Sequence, residues 1–318
     1  VLLPADVGVV VVNFGYPTLL EQNLVPLARH LHGDQVVIVD NFAGLAQRAA
    51  TTALARRQGW GLIAPGLNLG FGAGINAGLR HLIGLGFQRL LLLNPDATID
   101  EAGVRTLAEG VAADPGSLQC PRIHRANGTA WFTGGTVDVR AGRTRADAGS
   151  DGAAPHGWLT GACLMVHASL WQWLGGFDER YFLYWEDVDL SWRCAQAGGT
   201  LVVRDDVTVV HDVGGTQDSP GKSPVYVYFN IRNRMLFAAA HVNRRQLLHW
   251  LLLSPGYAVD VLQRGGRRDL LRHAGPLLLA ALRGSAAALA ITVRALVTVA
   301  DRPRSEGPQR LQPVRGRS

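Results

Sequence analysis

The sequence predicts an α/β fold: a mostly parallel central sheet flanked by helices, with a helical extension at the C-terminus. Three observations predict it. VGVVVVNF (Val7–Phe14) and QVVIVD (Gln35–Asp40) are short, apolar and β-branched, as strands buried on both faces are. Stretches with helical spacing separate such runs, and this alternation favours parallel pairing through crossovers. From about Val225 onward only amphipathic helical pieces follow.

The elements follow in order. After the first strand, Leu19, Leu20, Leu24, Leu27 and Leu31 share one side of a predicted helix over Thr18–Leu31. Beyond the second strand come a helix over Ala46–Arg57, a short strand at Gly61–Ala64 and a helix over Ile75–Leu85. RLLLLNPD (Arg89–Asp96) reads as a strand running into a turn. The stretch Cys120–Gly152 is rich in Gly, Arg, Asp and Thr. It holds small β pieces at Thr129–Thr133 and Thr136–Arg140, and a mobile loop is expected at Ala141–Ala154. Trp158–Phe177 gives a strand, a short helix and a Gly-Gly stop. Glu186–Gln196 is predicted helical, with Gly198-Gly199 ending it. Strands at Leu201–Val203 and Val207–Val210 lead to His211. The C-terminal helices are expected to break at Pro255, Gly265-Gly266 and Pro276, and residues 301–318, rich in Pro and Arg, to form a disordered tail.

Length and charge bound the organisation. The chain has 318 residues, room for one full domain and an appendage. Residues 1–221 hold 15 Lys+Arg against 21 Asp+Glu, whereas residues 222–318 hold 16 against 4. The basic character thus lies in the C-terminal third, where it suits an anionic surface or a solvated face. Nucleic acid is not an expected partner, because the aromatics there are not interleaved with Arg as stacking platforms. Cys120, Cys163 and Cys194 are too dispersed for a disulfide framework or a CxxC metal site, so a reducing cytoplasm is expected. VLLPAD runs straight into a strand, which reads as a trimmed start without a signal peptide. The most apolar candidate span, GSAAALAITV (Gly284–Val293), falls short of the roughly 18 uncharged residues of a membrane crossing.

The chemistry gathers where strands end. Ligands of open α/β sheets bind beyond the carboxyl ends of the strands, where Asn13, Asp40 and Asn94–Asp96 stand. Asp40 either accepts from a base or ribose or only caps its turn. Asp96, held by Pro95 just past a buried strand, suits a hard cation that also touches phosphate. In NLGFGAGINAG (Asn68–Gly78), Gly72–Ala77 formally fits the dinucleotide fingerprint G-x-G-x-x-[GA], but not at the first strand-to-helix turn where that motif belongs. Last comes YFLYWEDVDLSWR (Tyr181–Arg193), three carboxylates among five aromatics. An apolar wall there excludes water and raises a carboxylate's proton affinity. The same residues also suit the first turn of a helix, and Asp189 suits pairing with Arg193 at i+4. Arg232 or Arg234 would meet a phosphate or lie on the surface.

The ordered set VVNF, VIVDN, NLGFGAGINAG, LLLNPD, LTGACLMV, GGFDERYFLYWEDVDLSWR and VVH resembles the family 2 glycosyltransferases of GT-A fold, nearest their bacterial rhamnosyltransferase-like branch, over roughly residues 7–240. The resemblance implies a GT-A catalytic domain at 1–240, with a nucleotide-sugar half to about 115 and an acceptor half to about 240, then a helical region at 241–300. It implies that Asn13, Asp40, Asn68, Gly70, Asn76, Asn94 and Asp96 bind the nucleotide-sugar. Asp96 and His211 would hold a divalent cation, Mg2+ or Mn2+. Asp187 would be the catalytic base, with Thr160, Gly161, Trp185 and Glu186 at the acceptor, Trp185 as its floor. Gly15 and Phe42-Ala43 depart from the usual pattern, which touches base recognition and not the catalytic set. The implied activity is inverting transfer, best from dTDP-L-rhamnose, to a glycan or lipid-linked sugar in cell-wall or polysaccharide biosynthesis. The implied setting is the cytoplasm or the inner face of the cell membrane. The basic C-terminal helices would serve peripheral membrane contact or a homodimer interface. An NAD(P)-dependent Rossmann oxidoreductase and a non-catalytic sugar-nucleotide-binding protein are the alternatives.

Overall fold

A computed structural model describes residues 1–146, 157–211 and 221–298. The expected 301–318 tail and most of the expected 141–154 loop lie outside the described residues.

The strands are β1 (Val7–Asn13), β2 (Val36–Asp40), β3 (Gly61–Ile63), β4 (Arg89–Leu93), β5 (Ala97–Thr98), β6 (Ser117–His124), β7 (Ala130–Phe132), β8 (Gly135–Asp138), β9 (Arg143–Ala146), β10 (Gly157–Trp158), β11 (Cys163–His167) and β12 (Thr200–His211). The helices are α1 (Pro17–Leu19), α2 (Val25–Ala28), α3 (Leu45–Gln58), α4 (Phe71–Gly84), α5 (Glu101–Ala113), α6 (Ala168–Leu174), α7 (Glu186–Gln196), α8 (Pro224–His241), α9 (Arg244–Gln263), α10 (Arg267–Arg272) and α11 (Ala274–Thr298).

Among the described residues the main sheet runs β3-β2-β1-β4-β11-β6-β12-β5, with β7 on β6. Pairing is parallel across β3-β2-β1-β4, then antiparallel through β11. All seven residues of β1 and all five of β2 are buried, as their unbroken apolar runs require. A second, three-stranded sheet, β10-β8-β9, stands beside the first.

Several boundaries differ from expectation for local reasons. The helix expected over Thr18–Leu31 is broken: a π-helical segment over Leu20–Leu24 joins α1 to α2, and Pro26 sits in the first turn of α2. Helix α4 starts at Phe71, so the glycines expected ahead of it lie within it. A Cβ at Gly78 would collide with Val10, so the glycine lets α4 lie directly on β1. The two strands expected at 201–210 are one, with its register shift against β6 between Arg204 and Thr208. Pro255 lies inside α9 without ending it, and Pro276 sits in the first turn of α11, where a proline costs little. Helix α11 therefore runs 25 residues through Arg283, and its best 18-residue window has a mean hydropathy of 1.7. By length and composition it is long and apolar enough to cross a membrane, which corrects the sequence expectation. About a third of that window is buried inside the fold.

Two cores form. The larger lies on the main sheet. The smaller joins Tyr181, Trp185, Val188 and Trp192 to residues of α8, α9 and α11. The acidic turn thus shares its packing with the C-terminal helices.

Candidate active site

Asp96 and His211 are 115 residues apart and meet because β12 pairs antiparallel with β5, His211 opposite Ala97. His211 Nε2 lies 2.9 Å from Asp96 Oδ1. Both side chains are buried, and Trp131 packs edge-on against the imidazole at 4.6 Å between centroids. His211 Nδ1 has no hydrogen-bond partner among the described residues. No cluster of three or more His, Cys, Asp and Glu suited to a metal occurs among them. The pair offers one carboxylate and one imidazole, a donor set that fits a divalent cation whose other ligands come from substrate phosphate and water.

Asp187 is in the first turn of α7, where the helix N-terminus favours an anion. The Gly161 N–H donates to its Oδ2 at 3.2 Å and the Val188 N–H to its Oδ1 at 2.8 Å. Burial pushes its carboxyl up to about 6, against the pull of the Gly161 and Val188 N–H groups and the Thr160 hydroxyl. The residue keeps a half-exposed edge. Glu186 beside it is 5% exposed, and its Oε2 has no partner among the described residues. Burial, then the Asp187 charge, raises the Glu186 carboxyl well above the ordinary carboxylate range.

Thr160 and Gly161 thus both touch Asp187. The pairing of β11 with β4 sets Cys163 opposite Leu93, and the Asn94 N–H donates to the Ala162 carbonyl at 2.8 Å. Asp187 and the Asn94–Asp96 turn therefore flank one segment, 160–162. On the other side of the turn, Gly70 (φ +84°) admits the Phe182 carbonyl where a Cβ would collide with it. The Phe71 N–H donates to that carbonyl at 2.7 Å. The Asn68 side chain receives the Gly70 N–H at 2.8 Å. A continuous chain of contacts so joins residues 68–71, 182–187, 160–162 and 94–96.

Other expected residues are placed differently. Asn13 is fully buried, donating to Thr51 and receiving the Tyr16 N–H. Asn76 donates to the Phe177 carbonyl and Glu179 while receiving the Phe177 N–H, which ties α4 to the loop before the acidic turn. Both are held inside the protein. The carboxylate of Asp40 is buried, one oxygen on the Arg48 Nε at 2.9 Å and the other on the Phe42 N–H. Trp185 is 4% exposed and packs on Phe237, so it is core and not a floor open to an acceptor. Asp189 receives Arg193, the expected i+4 partner, at 2.7 Å, and His241 Nε2 lies 2.6 Å from its other oxygen. Its own burial opposes ionisation, but His241 and Arg193 win and hold it below the usual carboxylate range. Arg234 is buried between Trp250 and Tyr257, far from a surface role.

Sequence reasoning missed Asn233. The backbone before α7 has positive φ at Phe182, Tyr184 and Trp185 (63°, 67° and 74°), a conformation that costs of order 1–3 kcal/mol at each non-glycine residue. Asn233, wholly buried in α8, donates through Nδ2 to the carbonyls of Tyr181, Leu183 and Tyr184 at 2.8–2.9 Å. This side chain holds the strained turn that presents Glu186 and Asp187. Arg48 was missed too.

No protein-family model matches the chain. Over 57 residues it is 51% identical to the N-acetylglucosaminyl-diphospho-decaprenol L-rhamnosyltransferase of Mycobacterium tuberculosis, a match spanning 18% of this chain and only 19% of that relative. It is 25% identical over 238 residues to the low-salt glycan biosynthesis hexosyltransferase Agl10 of Haloferax volcanii, covering 73% of this chain and 75% of that one. Among solved structures, the mannosyltransferase PcManGT of Pyrobaculum calidifontis, in complex with GDP-Man and Mn2+, superposes with a TM-score of 0.53 at 16% identity, covering 92% of this chain and 87% of that one. GalNAc-T7 with UDP, GalNAc and Mn2+ gives 0.54 at 15% identity, over 83% and 56%. These likenesses show that the chain has the GT-A glycosyltransferase fold, and its two sequence relatives are named as a rhamnosyltransferase and a glycan hexosyltransferase.

Proposed function

We propose that the protein transfers a sugar, with inversion, from a nucleotide-diphospho-sugar to an acceptor hydroxyl. The observation that carries this reading is the setting of Asp187. It is a half-buried carboxylate at a helix N-terminus, raised to about 6, on the same 160–162 segment that the Asn94–Asp96 turn adjoins. A group so placed is ionised at pH 7 yet basic enough to take a proton. The acceptor oxygen forms a bond to the anomeric carbon as the bond from that carbon to the diphosphate breaks. Asp187 takes the acceptor's proton, and the nucleoside diphosphate leaves with the electron pair. Gly161 and Val188 fix the base's orientation. A divalent cation, Mg2+ or Mn2+, held by Asp96 and His211, would neutralise the departing diphosphate.

The name of the mycobacterial relative supports L-rhamnose as the sugar and a lipid-linked sugar as acceptor, for which dTDP-L-rhamnose is the donor we propose; a glycan acceptor suits the haloarchaeal relative's name. The dinucleotide reading has less behind it, since Gly74 abuts Val12 of β1 and Gly72 abuts Phe177, so both glycines of the fingerprint serve packing of α4. The test is Asp187→Asn. Transfer should fall by about 10³-fold while calorimetric affinity for the nucleotide-sugar, measured with and without Mn2+, stays nearly unchanged. Loss of both together would mean that Asp187 only holds the turn.

A further inference from the structure

Helix α11 has two unlike faces. Leu277, Ala280, Ala281, Gly284, Ala288 and Thr292 are buried against the body of the protein, with Gly284 lying on the backbone of Tyr228 in α8. The opposite face carries Leu278, Leu279, Leu282, Leu289, Val293 and Val297, each 48–69% exposed. At 1.5 Å per residue it is an apolar strip about 28 Å long. A groove of about 600 Å³ runs along its C-terminal half, lined by Leu289, Val293 and Val297 among others. A strip of this length, left open on the outside of a folded chain, marks an interaction surface.

Charge selects the occupant. The only ionisable side chains on α11 are Arg283 and Arg294, both exposed, and the helix contains no Asp or Glu. Arg267, Arg268 and Arg272 of neighbouring α10 are exposed as well. A second copy of this chain is a poor match. A two-fold axis near Leu289 sets Arg283 opposite the partner's Arg294, and a parallel arrangement sets each Arg against itself. In neither case does the face supply a carboxylate. An anionic lipid surface answers both features. The leucines and valines enter the headgroup boundary, while the Arg stems lie along apolar surface and their guanidinium groups reach lipid phosphate. The other side of α11 is fixed to α8 and α9, so the helix lies in the interface and does not cross.

We propose that the outward face of α11 docks the protein on an anionic membrane surface. This inference does not depend on the transfer chemistry. The test is sedimentation of the full chain with vesicles of phosphatidylcholine alone or with phosphatidylglycerol added. The protein should partition onto the anionic vesicles and far less onto the neutral ones. Raising NaCl from about 0.1 M to about 1 M, which shortens the screening length from about 10 Å to about 3 Å, should weaken binding. Arg283→Ala with Arg294→Ala should reduce partition roughly 30-fold, and Leu282→Asp with Leu289→Asp should abolish it. All four positions are exposed, and circular dichroism checks the fold; if the Asp pair unfolds the protein, the Arg pair decides alone. The proposal is overturned by equal partition onto both vesicles or by none onto either. It is also overturned by a dimer in sedimentation velocity that the Asp pair dissolves, which would make a second copy the occupant.

Discussion

Two sets of strand ends are built from the same residue types and differ in what their polar groups have left to offer. At the ends of β1 and β2, Asn13, Asp40 and Asn41 are all engaged inside the protein. Asn41 donates to the Gly70 carbonyl at 2.8 Å, and Asp40 faces Arg48. At the ends of β4 and β12 and the start of α7, capacity remains. Among the described residues His211 Nδ1 and Glu186 Oε2 have no partner, and Asp187 receives hydrogen bonds from N–H and hydroxyl donors. A polar residue at a strand end is therefore weak information by itself. Unused hydrogen-bonding capacity at low exposure is the stronger mark, because burying such a group without a partner costs free energy unless a ligand supplies one. Asp187 and Asp189 make the same point two residues apart. One is raised and faces N–H groups; the other is lowered and sits between Arg193 and His241.

The comparison can be broken most directly at His211. If the β4–β12 edge carries the chemistry, His211→Ala should lower transfer by on the order of 10²-fold and blunt its response to added Mn2+. A near-normal rate would move the chemistry elsewhere. A smaller effect separates Asp187 from an ordinary carboxylate. Its carboxyl is raised to about 6 and the base must be ionised, so the rate should fall as pH drops through 6, approaching tenfold per unit. A limb near 4 instead would place the base outside the buried turn. Asn233→Ala sharpens the contrast between holding and reacting. Loss of its bonds to the strained turn should lower the melting temperature by about 5 °C and reduce kcat more than the affinity for donor. Equal losses in kcat and donor affinity would show general disruption. Arg48→Ala should have the least effect on chemistry: kcat within about threefold, read by steady-state kinetics, with a lower melting temperature from the unpaired Asp40.

Strands β1, β2 and β4 were legible because burial on both faces demands an unbroken apolar run, and the sequence shows it directly. Helix α5 and strand β6 were not. Gly103 and Gly110 dilute the helical pattern of the first, and Pro121 interrupts the second, although β6 is paired with β11 and β12. In the site, the acidic turn and the Asp96–His211 pair could be singled out because their residue types are unusual where they stand. Asn233 could not. Its partners are backbone carbonyls some fifty residues away, and a carbonyl leaves no trace in a sequence. Nor did Trp185 announce its burial, since the aromatics of α8 that cover it are distant in the chain.

His241, the last residue of α8, reaches back to Asp189 in the turn of the base, and Asn233 grips that turn from the same helix. The C-terminal third is therefore a brace rather than a trailing accessory. A shortened version ending near residue 240 would lose the far side of this clasp together with the helices that cover it, so any effort to carve out a smaller working enzyme has to keep the chain through α11.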